Sequence, residues 1–216
     1  MDAIVKILGG VIVGWLLAQL ADMWKRRRER KAEAAFLGAT ALIQIERLIQ
    51  GCAAIAGDDG TAYGRPAGRT DDGQEYYVPQ TNTPELSWDG VKVEWKSVKP
   101  DLMYAILSLP LELAEAKDYL QGVSDYDDPP YDSYIAARQL RFAELGVMAA
   151  DLAASLRLAT GLPARTVREW NPETFLRNRL EEFRDREEQR ALRQQSWPDL
   201  PVAGASSTPV APPPAA

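Results

Sequence analysis

The stretch Ile12–Lys31, IVGWLLAQLADMWKRRRERK, joins an apolar run to a dense basic cluster and largely decides how this chain is organised. Between Ala3 and Ala21 only Lys6 and Gln19 are polar. At 1.5 Å per residue this run forms a helix of about 28 Å, close to the thickness of the hydrocarbon core of a bilayer. The sequence therefore predicts a transmembrane helix, and we assign residues 1–24 to a membrane anchor.

The order of the two halves predicts the topology of that anchor. A cleavable signal peptide carries its positive charge before the apolar run, whereas here the charge follows it. The positive-inside rule then places the C-terminal body in the cytoplasm, as in a single-pass signal-anchor protein of a bacterial plasma membrane. Trp24 stands where an interfacial aromatic anchor is expected. The residues predicted to contact lipid head groups and to set the topology are Lys25, Arg26, Arg27, Arg28, Arg30 and Lys31 in the basic cluster, residues 25–31.

A helix that lies in the membrane surface or is buried in a protein core is the alternative to a spanning helix. Lys6, the three glycines and the short span favour this alternative. Against it, Ile7–Leu17 contains no polar side chain on any face, whereas an in-plane helix needs a polar face. We therefore favour spanning, and the general layout resembles that of single-span bacterial membrane proteins.

Small residues recur every four positions along the apolar run, at Gly10, Gly14 and Ala18. This spacing lets two membrane helices approach closely and predicts packing between two copies of the chain. Because glycine is common in membrane helices in general, a monomer and a homodimer are about equally compatible with the pattern.

Composition removes several classes of function. The chain has no histidine and a single cysteine, Cys52, which excludes intramolecular disulfides, Cys/His zinc sites and the catalytic triads and dyads that need histidine. The motifs of phosphate-binding loops, dinucleotide folds and zinc proteases are also missing. We therefore expect no cofactor and no metal, and we do not expect an enzyme.

Charge is divided between the basic cluster and the rest of the chain. Six basic residues and one acidic residue give the cluster a charge of +5, which leaves −11 for the remainder of a chain whose net charge is −6. A basic cluster beside an apolar run favours membrane lipid as a partner, whereas the acidic remainder argues against nucleic acid.

Helical periodicity predicts three amphipathic helices within residues 32–163. The first ends near Ala56, the second begins near Pro100 and keeps its phase through Pro110, and the third ends before Gly161. An antiparallel bundle is the natural way to bury three such stripes. The positions predicted to face the core are Ala34, Leu37, Ala41, Ile45, Leu48, Cys52 and Ile55, then Leu102, Ile106, Leu109, Leu113, Ala116 and Leu120, and finally Tyr134, Phe142, Leu145, Ala149, Leu152 and Leu156.

The connection at residues 57–96 lacks helical periodicity and is rich in glycine, proline and aspartate, which favour turns. Its only strand-like runs are EYYVPQ and VKVEW, which predict one small β-hairpin lying across the helices. Several tyrosines and tryptophans in and near the loop indicate a surface that is ordered and packs on the bundle.

Two further segments follow the bundle domain. Residues 164–196 are predicted to form a charged helix with Asn171 and Pro172 at its start and Glu182 paired with Arg186. Residues 197–216 are rich in proline and alanine and are predicted to be a disordered tail.

The sequence thus predicts a mainly α protein in which a transmembrane helix runs into a bundle of three to four helices. The expected function is a membrane-anchored adapter or scaffold that holds a cytoplasmic interaction domain near the bilayer for a protein partner. A periplasm-facing envelope or lysis-type accessory protein is one alternative. A membrane-tethered hydrolase that uses Glu46 with Glu112 or Glu115 is another.

Acidic clusters are the remaining candidates for chemistry. The densest, from Asp125 to Asp132, lacks the glycine and the distal glutamate of an EF-hand loop. Aspartates at turns before prolines also favour a helix start. We therefore interpret this cluster as a charged turn and not as a calcium site.

Overall fold

The described chain is mainly helical, with four α-helices and one two-stranded sheet. The computed structural model describes residues 2–166 and 169–195, with side chains for residues 15–166 and 169–193. The helices are α1 (Asp2–Ala56), α2 (Pro100–Ser124), α3 (Asp132–Thr160) and α4 (Pro172–Gln195). The strands are β1 (Gly68–Arg69) and β2 (Glu75–Tyr76), and a short 3-10 helix follows at Trp95–Ser97. The helical fold class predicted from the sequence is confirmed.

The chain divides into two compact units, residues 1–181 and 182–216, so that the boundary falls within the range of α4. The first unit contains the bundle. In the second unit, Arg186 lies 3.9 Å from the Glu182 carboxylate and 4.5 Å from the centre of the Phe183 ring. The predicted pair at i, i+4 is therefore present, and because both side chains are about half exposed it contributes about 0.3–0.5 kcal/mol.

Helix α3 packs against both α1 and α2 and runs antiparallel to each. Along α1, Gly38 lies beside Thr160 and Cys52 lies beside Gly146, so residue numbers rise on one helix as they fall on the other. A short turn at residues 125–131 joins α2 to α3, which makes those two helices antiparallel neighbours as well. Helices α1 and α2 therefore run parallel to each other.

This arrangement explains the long connection between α1 and α2. Two parallel helices need a connection that returns along the bundle, and residues 57–99, which we call the strap, provide it. Five partly buried strap residues contact the core: Leu86, Trp88, Val93, Trp95 and Val98. The interpretation of the loop as an ordered, packed surface is confirmed.

The apolar stripes predicted from the sequence form the core. All seven predicted positions on α1 are buried, beginning at Ala34. On α2 and α3 most predicted positions are buried, and Leu102, Ala116, Tyr134 and Leu152 are half-buried. At about 1.5–3 kcal/mol for each buried Leu or Ile, this stripe packing is the main stabilising contribution.

Pro110 lies inside α2, which nevertheless continues as one helix. Proline has no N–H, so the carbonyl of Ile106, four residues earlier, loses its helical donor. The indole N–H of Trp88 in the strap donates to that carbonyl at 3.0 Å. Trp88 also stacks edge-to-face on Trp95, with ring centroids 5.7 Å apart. The strap thus supplies the hydrogen bond that the sequence of α2 removes.

The predicted hairpin is only partly correct. β2 lies within EYYVPQ, but its antiparallel partner is β1 and not VKVEW, with Gly68 opposite Tyr76 and Arg69 opposite Glu75. A turn at residues 70–74, in which Gly73 has φ +86°, brings these neighbouring segments together. VKVEW instead contributes Val93 and Trp95 to the packing of the strap on the bundle.

The transmembrane helix predicted for residues 1–24 is not supported. Within the described residues, no helix contains a stretch long and apolar enough to cross a membrane. In the part of α1 that follows Trp15, Asp22 and the basic cluster lie close to the apolar side chains. The predicted tail, residues 197–216, lies outside the described residues.

Candidate functional site

The basic cluster lies on a part of α1 that extends beyond the bundle. Every residue from 15 to 33 is exposed, and burial begins only at Ala34. Trp24 is 70% exposed, and the apolar side chains before it are also uncovered: Trp15, Leu16, Leu17, Leu20 and Met23. A stretch of this kind leaves apolar surface in contact with water, which is unfavourable unless a lipid or another protein covers it.

The other predicted site residues lie on the same extension. Ala18 is exposed on α1, whereas Gly10 and Gly14 lie outside the range in which side-chain surroundings are described. Lys25, Arg26, Arg27, Arg28, Arg30 and Lys31 are all exposed. The extension therefore carries the lipid-contact residues predicted from the sequence, and their contact with lipid stays a prediction.

A buried ion pair that was not predicted joins the strap to α3. The Asp58 carboxylate lies 3.0 Å from the Arg138 guanidinium, and the two side chains are only 2% and 4% exposed. Asp58 also accepts hydrogen bonds from the backbone N–H groups of Gly60, Gln80 and Thr81 at 2.8–3.0 Å and from the Thr81 hydroxyl at 2.7 Å. This one carboxylate thus ties the strap to the bundle.

The environment of Asp58 determines its charge state. Burial alone raises the pKa of the carboxyl, but the hydrogen bonds from Thr81, Gly60 and Gln80 outweigh burial and bring the pKa below its ordinary value. Arg138 also donates to the Thr81 carbonyl at 2.7 Å. Because both charges are paired and hydrogen-bonded, this is a structural clasp that holds the carboxylate ionised.

One signal in the sequence does point to the clasp. Arg138 stands between Ile135 and Phe142 at helical spacing, so it occupies a position on the buried stripe of α3. A charged residue is almost never fully buried unless it is paired, so this position indicated a partner. Its partner, Asp58, is 80 residues away in the sequence, and no local pattern identifies it.

The carboxylates considered for hydrolysis lie on different sides of α3. Glu46 pairs with Arg157 and with Arg165, whose Nε lies 3.8 Å from the Glu46 carboxylate. Glu112 and Glu115 instead line a groove of about 250 Å³ together with residues of α3 that include Met148. Met148 and Arg157 are nine residues apart, which places them on opposite faces of α3. The structure therefore does not bring Glu46 together with Glu112 or Glu115.

Two of the aspartates between α2 and α3 accept hydrogen bonds from residues at the ends of those helices. The Asp127 carboxylate accepts the backbone N–H of Tyr134 in the first turn of α3 at 2.8 Å. Asp125 accepts the amide of Gln121 at 2.8 Å. Across the described residues no three or more acidic or cysteine side chains are grouped so as to hold a metal ion.

Cys52 lies at the crossing of α1 and α3 and is completely buried. Burial raises the pKa of its thiol far above the ordinary value, so the reactive thiolate form is suppressed at neutral pH. The prediction that Cys52 belongs to the core is confirmed.

Neither the exposed extension nor the buried clasp can be interpreted through relatives of this chain. Comparison with protein-family models, curated proteins and solved structures finds no match. The function must therefore be argued from the residues themselves.

Proposed function

We propose that this protein is a single-pass, membrane-anchored adapter that holds its helical bundle at the cytoplasmic surface of a bacterial plasma membrane. The exposed extension of α1 carries this proposal. Large apolar side chains at residues 15–24 are uncovered, an apolar sequence precedes them, and the basic cluster follows. A bilayer would cover the apolar side chains and pair the basic ones with anionic head groups.

The mechanism of such an adapter is effective concentration. The first buried residue of the bundle, Ala34, follows Lys31 by only three residues, or about 4.5 Å along the helix. In the proposed orientation the bundle therefore lies directly at the head groups, with no flexible linker between them. A partner that meets the bundle is confined to the membrane surface, and a modest affinity is then sufficient.

An exposed apolar face on α2 supports a protein as that partner. Tyr104, Leu107 and Leu111 follow helical spacing and are 73%, 40% and 57% exposed. A photo-crosslinker at Tyr104 is expected to capture one defined partner in native membranes, whereas one at Lys117, exposed on another side of α2, is expected to capture none. Equal capture patterns from both positions would argue against a docking face.

Membrane retention tests the anchor directly. Aspartate at the centre of a membrane helix costs about 2.5–3.5 kcal/mol, so Val13→Asp with Leu17→Asp should move the protein from the carbonate-resistant to the soluble fraction. The matched control is Phe36→Asp with Ile43→Asp, because both side chains are exposed apolar residues of α1 within the bundle. If the two pairs of substitutions behave alike, or the wild-type protein is extracted by carbonate, the anchor is wrong.

Labelling of introduced cysteines tests the topology. Because Cys52 is buried and unreactive, a second cysteine can be labelled selectively. With a membrane-impermeant maleimide and intact spheroplasts, Asp2→Cys is expected to react, whereas Tyr63→Cys, at a fully exposed strap position, is expected to react only after lysis. The reverse pattern would indicate the periplasm-facing alternative.

A further inference from the structure

The charged residues of the α1 extension are unevenly distributed around the helix. Side chains three or four positions apart share a face, so Trp24, Arg27, Arg28 and Lys31 lie together. They line one shallow groove on the helix surface. The acidic residues of the extension, Asp22, Glu29 and Glu33, are seven and four positions apart, which places them together on the opposite face.

This distribution divides the six cations into two sets of three. Lys25, Arg26 and Arg30 each have an acidic residue three or four positions away, so their charge is partly balanced within the helix. Arg27, Arg28 and Lys31 have none at these spacings, and each instead has another cation or Trp24 there. One face thus carries three positive charges with no acidic neighbour at helical spacing, and the other carries three that have one.

We propose that the face formed by Trp24, Arg27, Arg28 and Lys31 binds the phosphate head groups of anionic membrane lipid. This inference rests on the proposed anchor and adds which face meets the lipid and which lipid class it selects. Two guanidinium groups provide planar pairs of N–H donors for phosphate oxygens, and Lys31 adds a point charge. The indole of Trp24 prefers the level of the head groups.

The dimensions of the face suit that ligand. From Trp24 to Lys31 the helix rises about 10 Å, which is enough to cross the polar layer of about 5–7.5 Å on one side of a bilayer. Trp24 lies at the apolar end of this rise, and Lys31 lies at the end nearest the bundle. Nucleic acid is the less suitable ligand, because the bundle that follows three residues later carries the acidic excess of the chain.

The test compares two triple variants with the same loss of charge. Full-length protein in detergent micelles is titrated with phosphatidylglycerol or phosphatidylethanolamine, and bound lipid is counted by native mass spectrometry. Attraction close to an anionic surface is roughly fivefold per basic residue. We expect Arg27→Gln, Arg28→Gln and Lys31→Gln together to weaken phosphatidylglycerol binding about tenfold or more. The control triple at Lys25, Arg26 and Arg30 should change it less than about threefold, and phosphatidylethanolamine binding should be unchanged by both.

The outcomes separate this inference from the anchor itself. Equal losses in the two triple variants would show that total charge, and not one face, attracts the lipid, and would overturn the inference. Binding of a duplex oligonucleotide that is lost with the first triple, without any lipid preference, would also overturn it. Carbonate extraction of the same variants tests the anchor separately. If the protein stays in the membrane fraction but shows no preference for phosphatidylglycerol, the lipid-binding face is rejected and the anchor is kept. If carbonate extracts the wild-type protein, the anchor itself is rejected.

Discussion

The hydrogen bond from Trp88 to Ile106 gives a prediction that couples the strap to α2. Ile106 is completely buried, and Pro110 removes the N–H that would otherwise bond to its carbonyl. In the Trp88→Phe variant that carbonyl is left without a donor in a buried position. An unsatisfied buried acceptor costs about 1–3 kcal/mol, to which the smaller ring adds a packing loss.

Restoring the helical donor should remove the first of these two costs. In the Pro110→Ala background the backbone N–H regained at this position can reach the Ile106 carbonyl, so Trp88→Phe should lose only its packing energy. The expected coupling between the two positions is therefore the cost of the unsatisfied carbonyl, about 1–3 kcal/mol. The packing loss is common to both backgrounds and cancels in the comparison.

A double-mutant cycle measures this coupling. Urea denaturation of the wild-type protein, the two single variants and the double variant, all full-length in one mild detergent, gives the four free energies of unfolding. Hydrogen exchange of strap peptides checks that the strap remains docked in each variant. Additivity within about 0.3 kcal/mol would refute the reasoning, because it would mean that the indole does not replace the donor that Pro110 removes.

Three further predictions concern the clasp and the helix crossings. Arg138→Met should destabilise the fold by about 3–5 kcal/mol because it leaves a buried carboxylate unpaired. Arg141→Met, which breaks an exposed pair on the same helix, should cost about 1 kcal/mol or less in the same urea titration. The pKa of Asp58 is lowered in the folded state, so its contribution to stability is present above the unfolded pKa of about 3.9 and is lost as the pH falls through the folded value. The free energy of unfolding, measured by urea titration at a series of acidic pH values, should therefore fall less with decreasing pH in Asp58→Asn than in the wild-type protein. Gly146→Ala should lower the melting temperature, because its Cβ would lie 2.6 Å from a Leu176 methyl group, whereas Gly122→Ala, with open space around it, should raise it slightly.

The local features of the helices could be predicted from the sequence. The stripe from Ala34 to Ile55 has a period that only an amphipathic helix satisfies, and the structure buries every predicted position. The start of α4 could also be predicted from the sequence, which places an N-cap at Asn171. In the structure the Asn171 side chain accepts a hydrogen bond from the backbone N–H of Glu173 at 3.0 Å, as an N-cap residue does. Periodicity and capping act over a few residues, so a single sequence displays them.

The contacts of the strap could not be predicted in the same way. Asp58 and Arg138 are far apart in sequence, and nothing near Asp58 distinguishes it from the exposed Asp59 beside it. The wrong hairpin partner has the same origin, because VKVEW has strand propensity but its side chains gain more by packing on the bundle. Strand propensity is weak compared with tertiary burial, and burial depends on partners that the sequence does not name.

The parallel arrangement of α1 and α2 also bears on the proposed role of the extension. Because α2 runs parallel to α1, its first turn and the strap residues before it lie toward the end of the bundle at which the extension begins. The exposed apolar face at Tyr104, Leu107 and Leu111, which we propose as a docking face, belongs to that half of α2. A partner bound there would lie near the basic cluster and, in the proposed orientation, near the lipid surface. The adapter hypothesis therefore places the proposed partner site on α2 and the proposed lipid site on α1 at the same end of the bundle, where the membrane raises the effective concentration of a partner that is itself membrane-bound.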